Sequence, residues 1–186
     1  LGRPADAARI LERFESQLAQ PAGDFAIAEA HLAAGSRDKA AAYFARVYFR
    51  YPQFAESARV PEEFRAGSPA DYLIRADRSA PARAAALRAE IEAASANWKP
   101  EERELALLKT WELDYRAKRY KEAREGISAL SVTAPAADAE RSWWLYQTAR
   151  RLDLDEGRAY AFDRLTRYHI GAARHLDVLI SEGYRL

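Results

Sequence analysis

Apolar side chains recur at spacings of three and four residues along almost the whole chain, which predicts helices rather than strands. In the first segment, residues 2–18, the helical spacing is set by Ala7, Ile10, Leu11, Phe14 and Leu18. In the last segment, residues 171–186, it is set by Ala172, Leu176, Leu179 and Ile180. Prolines and polar residues divide the middle of the chain into further predicted helices at 53–59, 61–66, 69–77 and 81–97. No segment alternates as a strand does, so we predict an all-α fold.

Residues 24–52 contain the clearest internal unit, two short helices joined by a tight turn. Its defining residues are Ala28, Gly35, Ala40, Phe44 and Pro52. This spacing is typical of a tetratricopeptide (TPR) repeat, in which small residues let two helices cross closely and a bulky ring fills the groove beside them. Gly35 can adopt the left-handed conformation that ends a helix, and Pro52 cannot extend one. We predict Asp24 and Ser36 as the N-caps of the two helices.

Two later segments, residues 101–135 and 139–170, repeat this unit in a weaker form. The alanine, ring and proline positions of the second helix are taken in the first of them by Ala123, Ile127 and Pro135. The bulky Trp111 replaces Ala28, and we expect it to splay that helix pair. One hairpin cannot bury its own apolar face, so neighbours of the same kind are required. We therefore predict that residues 1–186 form a single domain, a right-handed α-α superhelix (α-solenoid) of TPR-like hairpins.

Composition excludes several classes of function. The net charge is +1 with acidic and basic residues interspersed, whereas a nucleic-acid surface needs a clustered basic excess. The chain has no cysteine, which removes disulfides and thiol catalysis. No apolar run reaches the roughly 18–20 residues of a membrane span, and no signal peptide is visible. Methionine is absent, which indicates a processed chain or a piece of a longer one.

The residue types of common catalytic and metal sites do not occur in the required patterns. Among the three histidines, His31, His169 and His175, the last two lie six positions apart, while a metal pair on one helix needs three or four. The eight glycines are scattered and form neither a phosphate loop nor a dinucleotide fingerprint. No serine lies in a nucleophile turn. We expect no metal, no cofactor and no catalytic centre in this chain.

A basic cluster offers one possible binding surface. Its members are Arg116, Lys118, Arg119, Lys121 and Arg124. Glu122 and Glu125 lie among them, so the cluster is either a solvated helix turn or an anion-binding patch.

An aromatic group offers another possible surface. Trp143 and Trp144 are adjacent, and neighbouring side chains of a helix point about 100° apart, so at most one of them faces the core centrally. The other either packs between helices or lines a groove for a ligand. The ligand-binding candidates on the first helices of the hairpins are Tyr115, Trp143, Trp144, Tyr146 and Arg150. In a solenoid these positions would face the concave surface.

Three sequence segments resemble a known family. Residues 43–52 read YFARVYFRYP, residues 119–130 read RYKEAREGISAL, and residues 141–160 read RSWWLYQTARRLDLDEGRAY. A Tyr168-His169 pair follows, and then Ala172, Ala173 and Leu176. These features resemble the superhelical region of bacterial soluble lytic transglycosylases, in which TPR-like units are joined to a separate catalytic domain.

The resemblance implies a non-catalytic role. The family's catalytic glutamate lies in a Glu-Ser pair followed at a distance by Gly-Leu-Met-Gln; the pairs Glu15-Ser16 and Glu56-Ser57 lack that stretch. The resemblance therefore implies a domain of the periplasm or cell envelope that holds peptidoglycan strands for a catalytic domain outside this chain. The alternative is a TPR scaffold of the cell envelope that holds a protein or peptide in its concave groove.

Overall fold

The computed structural model describes residues 3–183, and these residues are helical almost throughout, with no strand among them. The predicted all-α fold is confirmed. Contacts between residues divide the chain into two compact units, the first ending at Ala80 and the second beginning at Pro81. A single domain is predicted for residues 1–186, and the structure adds this internal division.

Five helices make up the described part of the first unit, residues 3–80, with single 3-10 turns between some of them. They are α1 (Pro4–Arg13), α2 (Ala22–Ala33), α3 (Arg37–Arg50), α4 (Ala55–Arg59) and α5 (Pro69–Arg78).

Six helices make up the described part of the second unit. They are α6 (Ala84–Ala94), α7 (Pro100–Arg116), α8 (Tyr120–Ala129), α9 (Pro135–Arg151), α10 (Asp155–Tyr168) and α11 (Ala173–Gly183). None of the described helices combines the length and the apolar character that crossing a membrane requires.

Helices α2 and α3 form the hairpin predicted for residues 24–52. Ala28, Ala40 and Phe44 are all buried between or beside them, and Phe44 packs edge-on against Phe25 at 5.5 Å between ring centroids. Pro52 lies two residues after the end of the second helix, following the C-cap residue Tyr51. The N-cap prediction for Asp24 is wrong, because α2 begins at Ala22 and Asp24 lies buried in its first turn. Ser36 does occupy the N-cap position of α3, without a hydrogen bond from its side chain.

The hairpins α2–α3, α7–α8 and α9–α10 have turns of the same conformation. In each, the second residue after the first helix has a positive φ: +77° at Gly35, +62° at Lys118 and +54° at Asp153. The amide of the following residue donates to a carbonyl five residues back, as in the Schellman motif that satisfies a helix end. These hydrogen bonds are Ser36 N to His31 O (2.9 Å), Arg119 N to Asp114 O (3.0 Å) and Leu154 N to Ala149 O (2.9 Å).

Helix α9 is the centre of the second unit and contacts α7, α8, α10 and α11. The buried core of this region consists of Leu108, Ala123, Ile127, Ala137, Leu145, Tyr146, Ala161, Leu165 and Val178. The Trp111 ring packs directly against the backbone of Gly126 on the facing helix α8, where an added Cβ atom would lie 2.2 Å from the indole ring. The small residue that this helix crossing needs is therefore Gly126 on α8.

The last helix presents its apolar stripe outward. Leu176 is 61% exposed and Ile180 is 48% exposed, while Val178 is fully buried. The inner side of α11 is fixed by polar contacts, with Arg174 bound to Glu140 and Glu182 bound to Tyr146. The apolar residues that set the predicted pattern of residues 171–186 thus do not mark the buried side.

The first helix behaves in the same way. Ala8 is its buried residue, whereas Ile10 is 56% exposed and Phe14 is 44% exposed. Both terminal helices therefore carry apolar side chains on their outer sides.

Candidate functional site

Helix α9 carries the two tryptophans, and its register decides which of its rings can meet a ligand. Leu145 and Tyr146 face the core, so the preceding residues Trp143 and Trp144 lie on the flanks of the helix, where both are partly exposed. The start of the helix is anchored by Glu104 of α7, whose carboxylate accepts hydrogen bonds from the amides of Thr133 (2.9 Å) and Ala134 (3.0 Å). Burial would raise the pKa of Glu104, but these bonds outweigh it and hold the pKa below its usual value.

Trp144 contacts the neighbouring hairpin through Tyr115. The two ring centroids lie 5.2 Å apart, and Tyr115 in turn lies 5.1 Å from Tyr120 at the start of α8. The Trp144 indole Nε1 donates to Glu140 Oε1 at 3.0 Å, which fixes the orientation of the ring. We call Tyr115, Tyr120 and Trp144 the aromatic surface; all three side chains are partly exposed.

Trp143 lies on the side of α9 that faces α11. The guanidinium carbon of Arg174 lies 5.2 Å from the centroid of the Trp143 ring. Arg174 also binds Glu140 through two nitrogens at 2.7 and 2.8 Å and Asp177 at 3.0 Å. These hydrogen bonds raise the pKa of Arg174, so it stays charged. Glu140 therefore joins both tryptophan environments, since it accepts from Trp144 and from Arg174.

Tyr146 lies in the core and not on this surface. It has no exposed area, and its hydroxyl donates to Glu182 of α11. Burial and this hydrogen bond raise the pKa of Tyr146 to about 12. The turn that the three hairpins have in common explains this placement. Tyr146 precedes the positive-φ residue Asp153 by the same number of positions as Ala28 precedes Gly35 and Trp111 precedes Lys118. Tyr146 therefore occupies the helix-crossing position of its hairpin. Tyr146 is thus corrected from a ligand candidate to a packing residue.

The C-terminal end of α9 places two arginines next to the aromatic surface. Arg151 Nε donates to the Tyr115 hydroxyl at 3.1 Å, and this hydrogen bond raises the pKa of Arg151. Arg150, the candidate from the sequence, is exposed beside it. Sequence reasoning missed Arg151, Glu140, Arg174 and Tyr120, because their partners lie on other helices or a full helical turn away.

Two of the three histidines, His31 and His169, are engaged by carboxylates. His31 Nε2 lies 2.9 Å from Glu12, and His169 Nε2 lies 2.9 Å from Asp138. Burial alone would raise the pKa of Asp138, but hydrogen bonds from Arg164 and His169 outweigh it and lower that pKa. Within residues 3–183, no group of three or more histidine, aspartate and glutamate side chains is placed to hold a metal ion.

The two Glu-Ser pairs lie in the first unit, away from the residues of the aromatic surface in sequence. Glu15 accepts hydrogen bonds from the Tyr43 hydroxyl at 2.9 Å and from Arg46 at 2.7 Å. These bonds hold the pKa of Glu15 below its usual value. A carboxylate held in this way is ionised at neutral pH and serves as a link between α3 and the 3-10 turn that follows α1.

Comparison of the chain with protein-family models, with curated proteins and with solved structures found no match.

Proposed function

We propose that this chain is a non-catalytic binding module of TPR-like helical hairpins that holds peptidoglycan glycan strands in the bacterial cell envelope. Cleavage would belong to a catalytic domain outside this chain. The observation that carries the proposal is the aromatic surface, where Tyr115 and Trp144 are in contact beside hydrogen-bonding groups on Arg151 and Glu140. Arg174, which lies against Trp143, binds the same Glu140.

The chemistry of the surface suits a sugar polymer. A pyranose ring has an apolar face of C–H groups and an edge of hydroxyl and amide groups. Partly exposed aromatic rings cover the apolar face, and neighbouring polar groups fix the orientation. Because the hydrogen bonds of Glu140 and Arg174 hold these side chains before any ligand binds, little conformational entropy is lost on binding.

The repeated turn supports the TPR-like part of the proposal. Three hairpins with the same left-handed residue and the same carbonyl contact are the kind of unit that stacks into a right-handed α-α superhelix. In such a stack the first helices α7, α9 and α11 would line the concave side; contacts of α9 with both α7 and α11 are consistent with that arrangement. The envelope location rests on the resemblance to lytic transglycosylases.

Pelleting with purified, insoluble peptidoglycan sacculi tests this function. We expect the wild-type protein to pellet with sacculi without releasing soluble fragments. Trp144→Ala and Tyr115→Ala should each weaken sacculus affinity by about fivefold to tenfold, because a stacked ring contributes about 1 to 1.4 kcal/mol. The matched control is Tyr168→Ala, which removes a tyrosine that is 71% exposed on α10.

The pelleting assay has three possible outcomes. Loss of binding in the two surface variants, with unchanged thermal melts and unchanged Tyr168→Ala binding, supports the proposal. Equal pelleting of all variants would place the site elsewhere. A wild-type protein that stays in the supernatant would refute glycan binding.

The second candidate, a protein-interaction scaffold, has its own supporting observation. Leu176, Leu179 and Ile180 form an exposed apolar stripe on α11 that an amphipathic helix of a partner protein could cover. Leu176→Glu is the discriminating variant, because it should leave sacculus binding unchanged if the aromatic surface is the site.

A further inference from the structure

Four exposed cations lie in or next to the α7–α8 and α9–α10 turns, and one of them, Arg151, contacts the aromatic surface. Lys118 lies in the turn between α7 and α8, Lys121 lies in the first turn of α8, and Arg150 and Arg151 end α9. We call these four residues the basic rim.

The basic rim is brought together by the packing of the two hairpins. Arg151 donates to Tyr115 near the end of α7, and Tyr115 contacts Tyr120, which immediately precedes Lys121. Lys121 also lines a cleft of about 650 Å³ together with Leu152 and Leu154 of the α9–α10 turn. The two turns therefore lie at the same end of the second unit.

The rim differs from the rest of the predicted basic cluster in its pairing. Arg119 is committed to Asp114 at 2.6 Å, and Arg124 covers Gly157 and donates to a backbone carbonyl. Within residues 3–183, no carboxylate forms a salt bridge with Lys118, Lys121, Arg150 or Arg151. Arg151 donates to Tyr115 through its Nε, so the two terminal nitrogens of its guanidinium remain available as donors.

We propose that the basic rim binds carboxylate groups of the glycan ligand and so selects an anionic strand over a neutral one. This inference rests on the proposed function, since the aromatic surface has to hold the sugar rings. A strand lying across Trp144 and Tyr115 would bring its acidic substituents to Arg151, whose forked guanidinium matches a carboxylate. Lys118 and Lys121 supply further positive charge beside it.

Two soluble ligands test this selectivity by titration of the intrinsic tryptophan fluorescence. One is a neutral oligomer of β-1,4-linked N-acetylglucosamine; the other is a peptide-free peptidoglycan strand, in which every second sugar carries a carboxylate. We expect the wild-type protein to bind the anionic strand about tenfold more tightly at low ionic strength. The preference should shrink as salt is added, because exposed charges are screened.

Two independent double variants identify the rim as its source. R150Q/R151Q should lose most of the preference, which is measured as the ratio of the two affinities of the same variant because Arg151 also holds the Tyr115 hydroxyl. K118Q/K121Q touches none of the described ring contacts and should reduce the preference as well, so a folding defect at Tyr115 cannot explain the result. Arg13→Gln removes an exposed cation in the first unit and is the matched control.

Each outcome decides one question. Equal affinity of the wild-type protein for both ligands, or an unchanged preference in both double variants, would overturn the role of the rim and leave glycan binding intact. Failure of both ligands to bind would overturn glycan binding and the rim together.

Discussion

At the scale of single residues, Asp24 has the most unusual environment in the first unit. Its side chain is fully buried in α2, and Arg46 Nη2 lies 3.0 Å from one carboxylate oxygen. Within the described residues, neither oxygen accepts a hydrogen bond of good geometry. Burial therefore outweighs the attraction of Arg46, and the pKa of Asp24 is raised.

The raised pKa predicts that Asp24→Asn gains stability relative to the wild type as the pH rises. A carboxyl with a higher pKa in the folded state contributes stability below its unfolded pKa of about 3.9 and loses that contribution as the pH rises through the folded value. The asparagine cannot ionise, so the two proteins should differ least near pH 4. Denaturant unfolding between pH 4 and pH 8 measures the difference.

Glu15→Gln is the matched control with the opposite sign. The pKa of Glu15 is lowered by hydrogen bonds from Arg46 and Tyr43, so its contribution is present at neutral pH and is lost as the pH falls through the folded value. This variant should be less stable than the wild type at pH 7 and approach it in acid. If Asp24→Asn instead loses stability relative to the wild type as the pH rises, the attraction between Asp24 and Arg46 outweighs the desolvation cost of the buried carboxylate.

At the scale of elements, the crossing of α7 and α8 depends on a glycine. A Cβ atom at Gly126 would lie 2.2 Å from the Trp111 ring, which is also held by Arg88 at 3.6 Å from its centroid. We expect Gly126→Ala to cost about 1–3 kcal/mol of unfolding free energy through overpacking. This cost would outweigh the gain of about 1 kcal/mol that alanine normally brings to a helix.

Gly183→Ala is the control for adding a methyl group without a steric clash, because a Cβ atom there meets nothing within 4 Å. Gly183 is the last residue of α11, where helix propensity has little effect, so the free energy of unfolding should change by less than about 0.5 kcal/mol. Denaturant unfolding compares the two variants. A Gly126→Ala protein as stable as the wild type would mean that Trp111 can move aside at little cost.

The hairpins also show which features a sequence can reveal. The α2–α3 unit is readable because Gly35 occupies its left-handed position and alanines occupy its crossing. In the other two hairpins Lys118 and Asp153 take that position, so the glycine signal is missing. Trp111 and Tyr146 occupy the positions in their hairpins that Ala28 occupies in α2–α3. In the sequence alone, a large aromatic residue at this crossing position looks the same as an aromatic residue on the surface.

The site was predictable only in part, for a related reason. Tyr115, Trp143, Trp144 and Arg150 follow from aromatic and basic residues on predicted helices. Glu140 and Arg174 become recognisable only when α11 is placed against α9, a contact between residues 34 positions apart. The inner side of α11 combines the buried Val178 with polar contacts of Arg174 and Glu182, whereas Leu176, Leu179 and Ile180 are exposed. The spacing of the apolar residues therefore predicts the wrong buried side.

At the scale of the whole molecule, the second unit contains every residue of the aromatic surface and the basic rim. Its core residues, from Leu108 to Val178, all lie after Ala80, and Leu87 and Ile91 of α6 are buried as well. A unit of about 100 residues with its own buried core is large enough to fold alone.

We therefore predict that residues 81–186 expressed alone fold cooperatively and retain sacculus binding, whereas residues 1–80 do not bind. Circular dichroism melts establish folding, and the pelleting assay measures binding, with Trp144→Ala in the same fragment as the control for specificity. A folded fragment without binding would show that the first unit contributes to the ligand site. Because the proposed stacking contacts and the proposed carboxylate contacts all lie after Pro81, that result would contradict the assignment of the site to α7, α8 and α9.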